Sequence, residues 1–246
     1  MRLQLMTWPE VERYLERSRG LIVPIGSTEQ HGPTGLIGTD ALTAEGLALG
    51  AGEALEAVVA PTLPVGMAQH HLAFPGSAAL RPSTLMAVVR DLVTSLATGG
   101  FRRFLFVNGH GGNVASLNAA FSEIHCDASF AGRAGEVRCT LFNWYQSPAL
   151  APFVREHYGE QEGSHATPSE VALAAHYHRG QLRAVPLTPA VAPPGHEFHD
   201  ATDYRRRFPD GRMGSNPALA REEHGARIHE LVVADIAEAY RRFVAG

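Results

Sequence analysis

Three potential metal ligands lie close together in one glycine-containing loop, over residues 26–40. Glu29 and His31 are two residues apart, so an extended backbone would point both side chains to the same side, and Asp40 follows nine residues after His31. Carboxylate and imidazole groups together suit zinc, manganese or iron. Asp40 is the natural residue to bridge two ions, because two other ligands flank it. The alternative is an ordinary loop in which Asp40 caps a helix and Glu29 and His31 are surface residues.

A second loop, residues 108–113, has the sequence Asn-Gly-His-Gly-Gly-Asn and follows a strongly apolar segment. Three glycines surround His110, and glycines permit tight turns and close approach of the backbone. A glycine-rich loop between a strand and a helix can instead bind phosphate. However, this loop matches neither common phosphate-binding pattern and contains no Lys or Arg, so we favour His110 as a metal ligand.

A third block, residues 160–170, contains His165 and Glu170. Thr167 and Pro168 are residue types expected at the N-cap and first position of a helix, which places Glu170 in the first turn. The helix dipole favours an acidic residue there, so one interpretation of Glu170 is capping support. The functional alternative makes Glu170 a fifth metal ligand and His165 a group that transfers protons.

These blocks are set between segments that alternate between strand and helix patterns. Continuous apolar runs predict strands over 21–25, 58–65, 104–107 and 137–144, although Pro61 and Pro64 weaken the second. Apolar residues at helical spacing predict helices over 8–17, 41–57, 82–98, 114–125, 169–177 and 221–244. The alternation predicts an α/β fold with a mainly parallel sheet. The first two loops follow strands, so we expect them at the carboxyl edge, where open α/β sheets bind ligands.

Composition narrows the class of protein. The chain has 246 residues, and 45% of them are hydrophobic. Its net charge of −4 argues against a nucleic-acid-binding protein, because such proteins usually carry a basic patch. The only tight basic run, residues 205–207, is flanked by aspartates and is expected to be a solvated loop. No apolar stretch reaches the roughly 18 residues that span a bilayer, and the N-terminus lacks the apolar segment of a signal peptide. We therefore expect a cytoplasmic protein with no nucleic-acid or membrane partner.

Histidine is unusually frequent, with 13 in the chain, and it is the commonest metal ligand. His70 and His71 follow a predicted strand end and are candidates to line a pocket. His196 and His199 belong to a long excursion rich in Pro and Gly, over 186–217, and are expected at the surface.

Together the three blocks resemble the creatininase (creatinine amidohydrolase) family. Its opening signature is Gly-Ser-x-Glu-Gln-His-Gly-Pro with an Asp nine residues after the His, which residues 26–33 and Asp40 match. Its second signature, Asn-Gly-His-Gly-Gly-Asn, is matched in full. Its third, His-Ala-Gly-x-x-Glu, is matched at His165, Ala166 and Glu170. The resemblance implies a three-layer α/β/α fold, one domain over residues 1–246, and a homo-oligomer such as a hexamer.

The resemblance also implies a centre of two divalent ions, zinc first, with manganese or iron as alternatives. Glu29, Asp40 and His110 would hold one ion. His31 and Asp40 would hold the other, together with a further carboxylate.

That further carboxylate is expected from the third block. Creatininase itself has a glutamate ligand where this chain has Gly112, so the resemblance assigns the role to Glu170, with Glu162 as the weaker candidate.

The implied activity is hydrolysis of a C–N bond in a small amide or cyclic amide. A metal-bridging hydroxide would attack the carbonyl carbon, and His165 would move a proton to the leaving nitrogen. Thr34 and Pro168 stand where many relatives carry other residues, so creatinine is not singled out as the substrate. The alternatives are a formamide deformylase or small-peptide hydrolase of the same family, or a non-catalytic metal-binding relative.

Overall fold

A computed structural model describes residues 1–132 and 135–246 of the chain. The described residues form a sheet of four parallel strands in the order β2-β1-β3-β4: β1 (Gly20–Ile25), β2 (Val58–Val59), β3 (Arg103–Asn108) and β4 (Arg138–Asn143). The pairing of β1 with β3 runs from Gly20 opposite Arg103 to Ile25 opposite Asn108. Both strands therefore end at the same edge, and the two candidate loops leave the sheet side by side.

The side chains of β1 are buried on both faces of the sheet. Leu21, Val23 and Ile25 pack into one hydrophobic core, and Ile22 packs into the other. Burial on both faces explains why the strand is continuously apolar instead of alternating.

Eight α-helices in the described part of the chain surround the sheet: α1 (Trp8–Arg17), α2 (Thr39–Ala54), α3 (Pro82–Thr98), α4 (Asn113–Phe130), α5 (Leu150–His157), α6 (Pro168–Tyr177), α7 (Ala201–Arg207) and α8 (Glu222–Ala245). Side chains of α2, α6 and α8 contribute to one core, and side chains of α1, α3 and α4 contribute to the other. The predicted three-layer α/β/α fold is therefore confirmed. None of the helices within the described ranges is long and apolar enough to cross a membrane.

The predicted strand over 58–65 is mostly wrong. Only Val58–Val59 pairs as a strand, and Leu63 makes a single bridge to Ile25 further along. Pro61 and Pro64 have no N–H group to donate to a neighbouring strand, which accounts for the early end of the pairing.

The excursion over 186–217 includes a helix that the sequence pattern did not predict. It contains α7, and residues 205–207 form the last turn of this helix instead of a loop, with Arg206 and Arg207 paired to Asp203. Arg212 is fully buried and donates hydrogen bonds to three backbone carbonyls of the same segment. We call residues 186–217 the cap segment, because its side chains border the site described below.

Candidate metal centre

Glu29 lies in the loop after β1, and its side chain is completely buried. Its Oε1 atom lies 3.2 Å from Nε2 of His71, 3.3 Å from Nδ1 of His110 and 3.8 Å from Nδ1 of His165. Burial alone would raise the pKa of Glu29, but His110 and His71 outweigh it and hold that pKa well below its usual value. Glu29 is therefore an anion surrounded by imidazoles.

His31 and Asp40 face each other across the same loop, with Asp40 in the first turn of α2. Nε2 of His31 lies 2.9 Å from Oδ1 of Asp40, and Nδ1 of His31 lies 3.2 Å from the Glu29 carbonyl oxygen. Burial would lower the pKa of His31, but Asp40 and, to a smaller extent, Glu170 and Glu29 raise it to about 10. A protonated His31 and a divalent cation are thus alternative partners for the Asp40 carboxylate.

Two glycines allow the loops after β1 and β3 to approach each other. A Cβ atom on Gly109 would lie 2.2 Å from the Asp40 carbonyl oxygen, and one on Gly26 would lie 2.3 Å from the Ala41 nitrogen. Real Cβ atoms do not tolerate such contacts with backbone atoms. The close approach brings Nδ1 of His110 to 3.2 Å from Oδ2 of Asp40.

His110 is oriented by backbone and amide groups around it. Its Nε2 donates a hydrogen bond to the Met67 carbonyl oxygen at 2.9 Å, which leaves Nδ1 as the ring nitrogen that faces Glu29 and Asp40. Asn108 accepts a hydrogen bond from the His110 N–H and donates one to the His110 carbonyl, at 3.1 and 2.7 Å. The first asparagine of the Asn-Gly-His-Gly-Gly-Asn motif therefore fixes the backbone of its histidine.

Glu170 is positioned for both of the roles considered from the sequence. Its Oε2 accepts a hydrogen bond from the Thr167 N–H at 2.9 Å, and its own N–H donates to the Thr167 hydroxyl at 3.1 Å, which is a capping box at the start of α6. A carboxylate oxygen of Glu170 also lies within 4.8 Å of ligand atoms of His31 and Asp40. A carboxylate has two oxygens, so the two roles are compatible.

Glu162, the weaker candidate for that role, is directed elsewhere. One of its oxygens accepts a hydrogen bond from the Ser169 hydroxyl, and its carboxylate belongs to none of the possible ligand groups found among the described residues. Burial raises the pKa of Glu162 to about 7, although the Ser169 hydrogen bond opposes the shift. The structure thus brings Glu170, and not Glu162, to His31 and Asp40.

His165 faces the same cluster from the segment before α6. Its Nε2 donates to the Gln30 carbonyl oxygen at 2.9 Å, so Nδ1 is the nitrogen directed towards Glu29. Burial lowers the pKa of His165 well below its usual value, and His71 and His31 lower it further. A neutral imidazole with Nδ1 free can accept a proton. His165 also belongs to a possible ligand group with Glu29 and His31.

Two buried residues contribute more than the sequence indicated. His71, expected only as a candidate to line a pocket, contacts the Glu29 carboxylate directly. Gln30 donates hydrogen bonds from Nε2 to Nδ1 of His71 at 2.9 Å and to the Gly211 carbonyl at 3.0 Å. Gln30 lies within the opening signature of residues 26–33, but its contacts with residues distant in the chain were not predicted.

The donor atoms of this cluster fit divalent cations. Buried atoms without a hydrogen-bond partner include both carboxylate oxygens of Glu29, Oδ2 of Asp40 and Nε2 of His31. The carboxylate and imidazole atoms of the cluster lie 2.9–3.8 Å apart. Three overlapping groups of possible ligands result: Glu29–Asp40–His110, His31–Asp40–Glu170 and Glu29–His31–His165. Buried polar atoms are costly without partners, and this set of oxygen and nitrogen donors suits zinc or manganese.

The cluster opens into a cavity of about 430 Å³. His70 and His71 line this cavity, and Phe198 and Met213 of the cap segment close part of it. His196 and His199 of the same segment are exposed, as predicted.

Comparison with known proteins gives one family over nearly the whole chain. The creatininase family model, described as creatinine amidohydrolase, matches residues 4–240. A mycofactocin precursor peptide peptidase of Mycolicibacterium smegmatis is 34% identical over 160 residues, which are 61% of this chain and 59% of that protein. The chain therefore aligns with about three fifths of the length of this relative. A creatinine amidohydrolase of Pseudomonas putida is 29% identical over 255 residues, which cover 96% of this chain and 94% of that one.

Solved structures give the same fold. A structure described as "Creatininase Mn" superposes with a TM-score of 0.86 at 25% identity, covering 100% of this chain and 99% of that chain. The Zn–Zn form of a creatininase mutant superposes with a TM-score of 0.83 at 26% identity, covering 100% of this chain and 98% of that chain.

Proposed function

Because residues 4–240 match its model, the chain belongs to the creatininase family, and on that premise we propose that it is a metal-dependent amidohydrolase that cleaves a C–N bond of a small amide or cyclic amide. The observation that carries the proposal is the position of Asp40 in two overlapping groups of possible ligands. Hydrolysis of a short peptide is the second candidate function, supported by the similarity to a mycofactocin precursor peptide peptidase. Either reaction adds water across a C–N bond and gives a carboxylate and an amine.

Two sets of ligands would hold two ions in this proposal. Glu29, Asp40 and His110 would hold one, and His31, Asp40 and Glu170 the other. Zinc and manganese are the first choices, because related structures are described as manganese and zinc forms, and iron is an alternative. When bound, such ions lower the pKa of water towards neutrality and polarise a carbonyl oxygen.

The remaining chemistry belongs to His165. We assign to its Nδ1 the acceptance of a proton from the attacking water and the delivery of that proton to the leaving nitrogen. The hydrogen bond from its Nε2 to the Gln30 carbonyl fixes the ring and the tautomer. The low pKa of His165 keeps the ring neutral before the reaction, so the base form is available at neutral pH.

Groups that do not react would hold the site in place. The Met67 carbonyl fixes the tautomer of His110, and His71 supports the Glu29 carboxylate. A homo-oligomeric state and a cytoplasmic location are further parts of the proposal that remain predictions.

Metal quantification coupled to a hydrolysis screen tests the proposal. We expect two divalent ions per chain and turnover of at least one class among cyclic amides, formamides and short peptides. Removal of the ions with a chelator should abolish turnover, and added zinc or manganese should restore it. Activity that survives complete metal removal, or inertness of the metal-loaded protein towards all three classes, would contradict the proposal.

A further inference from the structure

A second cavity adjoins the one that holds the candidate metal centre. We call the two spaces the metal chamber, of about 430 Å³, and the side chamber, of about 440 Å³. Tyr145, Ser164 and Glu170 line both chambers, so the two spaces adjoin at these residues. Each chamber alone falls within the roughly 300–1,000 Å³ of pockets that bind drug-sized ligands. A cyclic amide with a single five-membered ring would leave the side chamber unused.

The side chamber has an apolar wall formed by α5 and the residues that begin it. Leu150, Ala151 and Val154 line this wall; Leu150 is buried, Val154 is half-buried, and Ala151 is exposed at the opening. An apolar group of a ligand that packs against this wall would make binding more favourable, because the removal of apolar surface from water is favourable.

Polar residues also line the side chamber. Glu162 and Thr167 line it, and Oε2 of Glu162 is buried without a hydrogen-bond partner. The other oxygen of Glu162 already accepts a hydrogen bond from Ser169. When Glu162 is ionised, this oxygen is a buried acceptor without a partner, which favours a ligand that brings an N–H donor. Arg155 of α5 also lines the side chamber, and it is exposed. Beside this cation, the side chamber combines apolar side chains with an acceptor for N–H, which is the chemistry of a peptide unit with an aliphatic side chain.

Tyr145 stands between the two chambers. Its hydroxyl lies 3.7 Å from the position of a Cβ atom on Gly111, beside His110. Burial raises the pKa of Tyr145, and the Glu170 and Asp40 carboxylates raise it further, so the hydroxyl keeps its proton and can donate a hydrogen bond. A ligand that passed from one chamber to the other would run past this donor.

We infer that the substrate spans both chambers and is a peptide-like amide with an aliphatic side chain, whose reacting C–N bond lies in the metal chamber while the aliphatic group occupies the side chamber. This inference rests on the proposed function, in particular on its second candidate, hydrolysis of a short peptide, because the reacting bond is placed by the candidate metal centre. Tyr145 and the wall of α5 would then determine the specificity for the extended part of the substrate.

Hydroxamates that differ only in length test the inference without requiring turnover. Acetohydroxamic acid is the short probe. The hydroxamate of leucylglycine and the N-formyl-N-hydroxy derivative of the same dipeptide are the long probes, and they extend on the acyl and amine sides. We expect at least one long probe to bind the zinc-loaded protein about tenfold more tightly than the short probe, as measured by calorimetry.

Substitution Ala151→Trp fills the opening of the side chamber with an indole. It should reduce the ratio of long-probe to short-probe affinity to near one. Ala234→Trp adds the same group at an exposed alanine of α8 that lines neither chamber, and it should leave the ratio unchanged.

The outcomes separate the two proposals. Equal affinity of long and short probes in the unmodified protein, or a ratio that Ala151→Trp does not change, would overturn the side-chamber inference while the metal centre stands. Absence of binding by all three probes to a protein shown to hold its ions would overturn the proposed function, and this inference with it.

Discussion

Nε2 of His31 lies 2.9 Å from Oδ1 of Asp40, in a pair that is buried on both sides. The second oxygen of Asp40 lies 3.2 Å from Nδ1 of His110, which comes from the loop after the neighbouring strand. Each oxygen of one carboxylate therefore faces an imidazole from a different loop. A carboxylate in this position can bridge two cations, and the predictions that follow concern the residues on its two sides.

Replacement of His110 by Ala should remove bound metal and hydrolytic activity together. His110 supplies the nitrogen on the Glu29 side of Asp40, and its loss leaves two carboxylates without the nitrogen donor. Metal content by elemental analysis, with turnover on the same sample, checks this. His196→Ala removes an exposed histidine and should change neither quantity. Full metal content in the His110→Ala protein would remove His110 from the proposed site.

Replacement of Glu170 by Gln should lower the metal content from two ions per chain to one. The amide oxygen of Gln can still accept the Thr167 N–H, so the start of α6 and the melting temperature should change little. The neutral amide is, however, a weak ligand for the ion beside His31. Glu162→Gln is the matched control, because Glu162 belongs to no ligand group among the described residues, and it should keep both ions. The opposite pattern would make Glu162 the ligand.

Local sequence patterns could predict the candidate ligands that share one loop or that directly follow a strand. Glu29, His31 and Asp40 share one loop, and His110 follows the paired strand, so the parallel sheet was sufficient to place them at one edge. The contribution of Gln30 depends on residues 41 and 135 positions away, His71 and His165, and no local periodicity encodes such contacts.

In the fold, too, elements determined by local sequence patterns were predicted, and an element that depends on tertiary contacts was missed. The continuous apolar runs of β1 and β3 predicted a buried parallel sheet, because burial on both faces is a property of the strand itself. The helix at 201–207 was missed, since its polar sequence shows no apolar periodicity and its order depends on Tyr204 packing against the cap segment and Phe74. Tertiary contacts decide such elements, and the sequence of the segment alone does not contain them.

Replacement of His165 by Gln should leave metal content intact and reduce turnover by about 10²–10⁴-fold. The amide of Gln can keep a hydrogen bond to the Gln30 carbonyl, so the loop stays in place, while the proton acceptor is lost. Because the low pKa of His165 places its protonation below neutral pH, the fall of kcat/KM on the acid side should disappear from the variant. Turnover equal to that of the unmodified protein would exclude proton transfer by His165.

Replacement of Glu162 by Gln should stabilise the metal-free protein at neutral and alkaline pH. Burial raises the pKa of Glu162 to about 7 from an ordinary value near 4.5. Between pH 4.5 and about 7 the unfolded chain has released the Glu162 proton, whereas the folded chain retains it. The contribution of Glu162 to the free energy of unfolding therefore falls as the pH rises, and it is lowest above about pH 7. Gln does not titrate. The free energy of unfolding of the variant should therefore exceed that of the unmodified protein by an amount that grows from pH 5 to pH 8. At pH 8 the difference should be on the order of 1 kcal/mol, because partial exposure of the side chain reduces the effect.

Urea unfolding at several pH values after treatment with a chelator measures this difference. Glu160→Gln removes the same charge at an exposed neighbour and should show no such growth with pH. A constant difference between the unmodified and Glu162→Gln proteins across this range would show that burial does not shift the pKa of Glu162.

Replacement of Gly109 by Ala should destabilise the protein and release metal, whereas Gly111→Ala should be tolerated. The added methyl at 109 would lie 2.2 Å from the Asp40 carbonyl oxygen, so the loop that carries Asp40 must move. Overpacking of this kind costs about 1–3 kcal/mol, and the displaced Asp40 would leave both ligand groups. The methyl at 111 would meet the Tyr145 hydroxyl at an ordinary 3.7 Å. Urea unfolding and metal content of the two variants check this contrast, and equal behaviour would mean that close approach at Gly109 does not position Asp40.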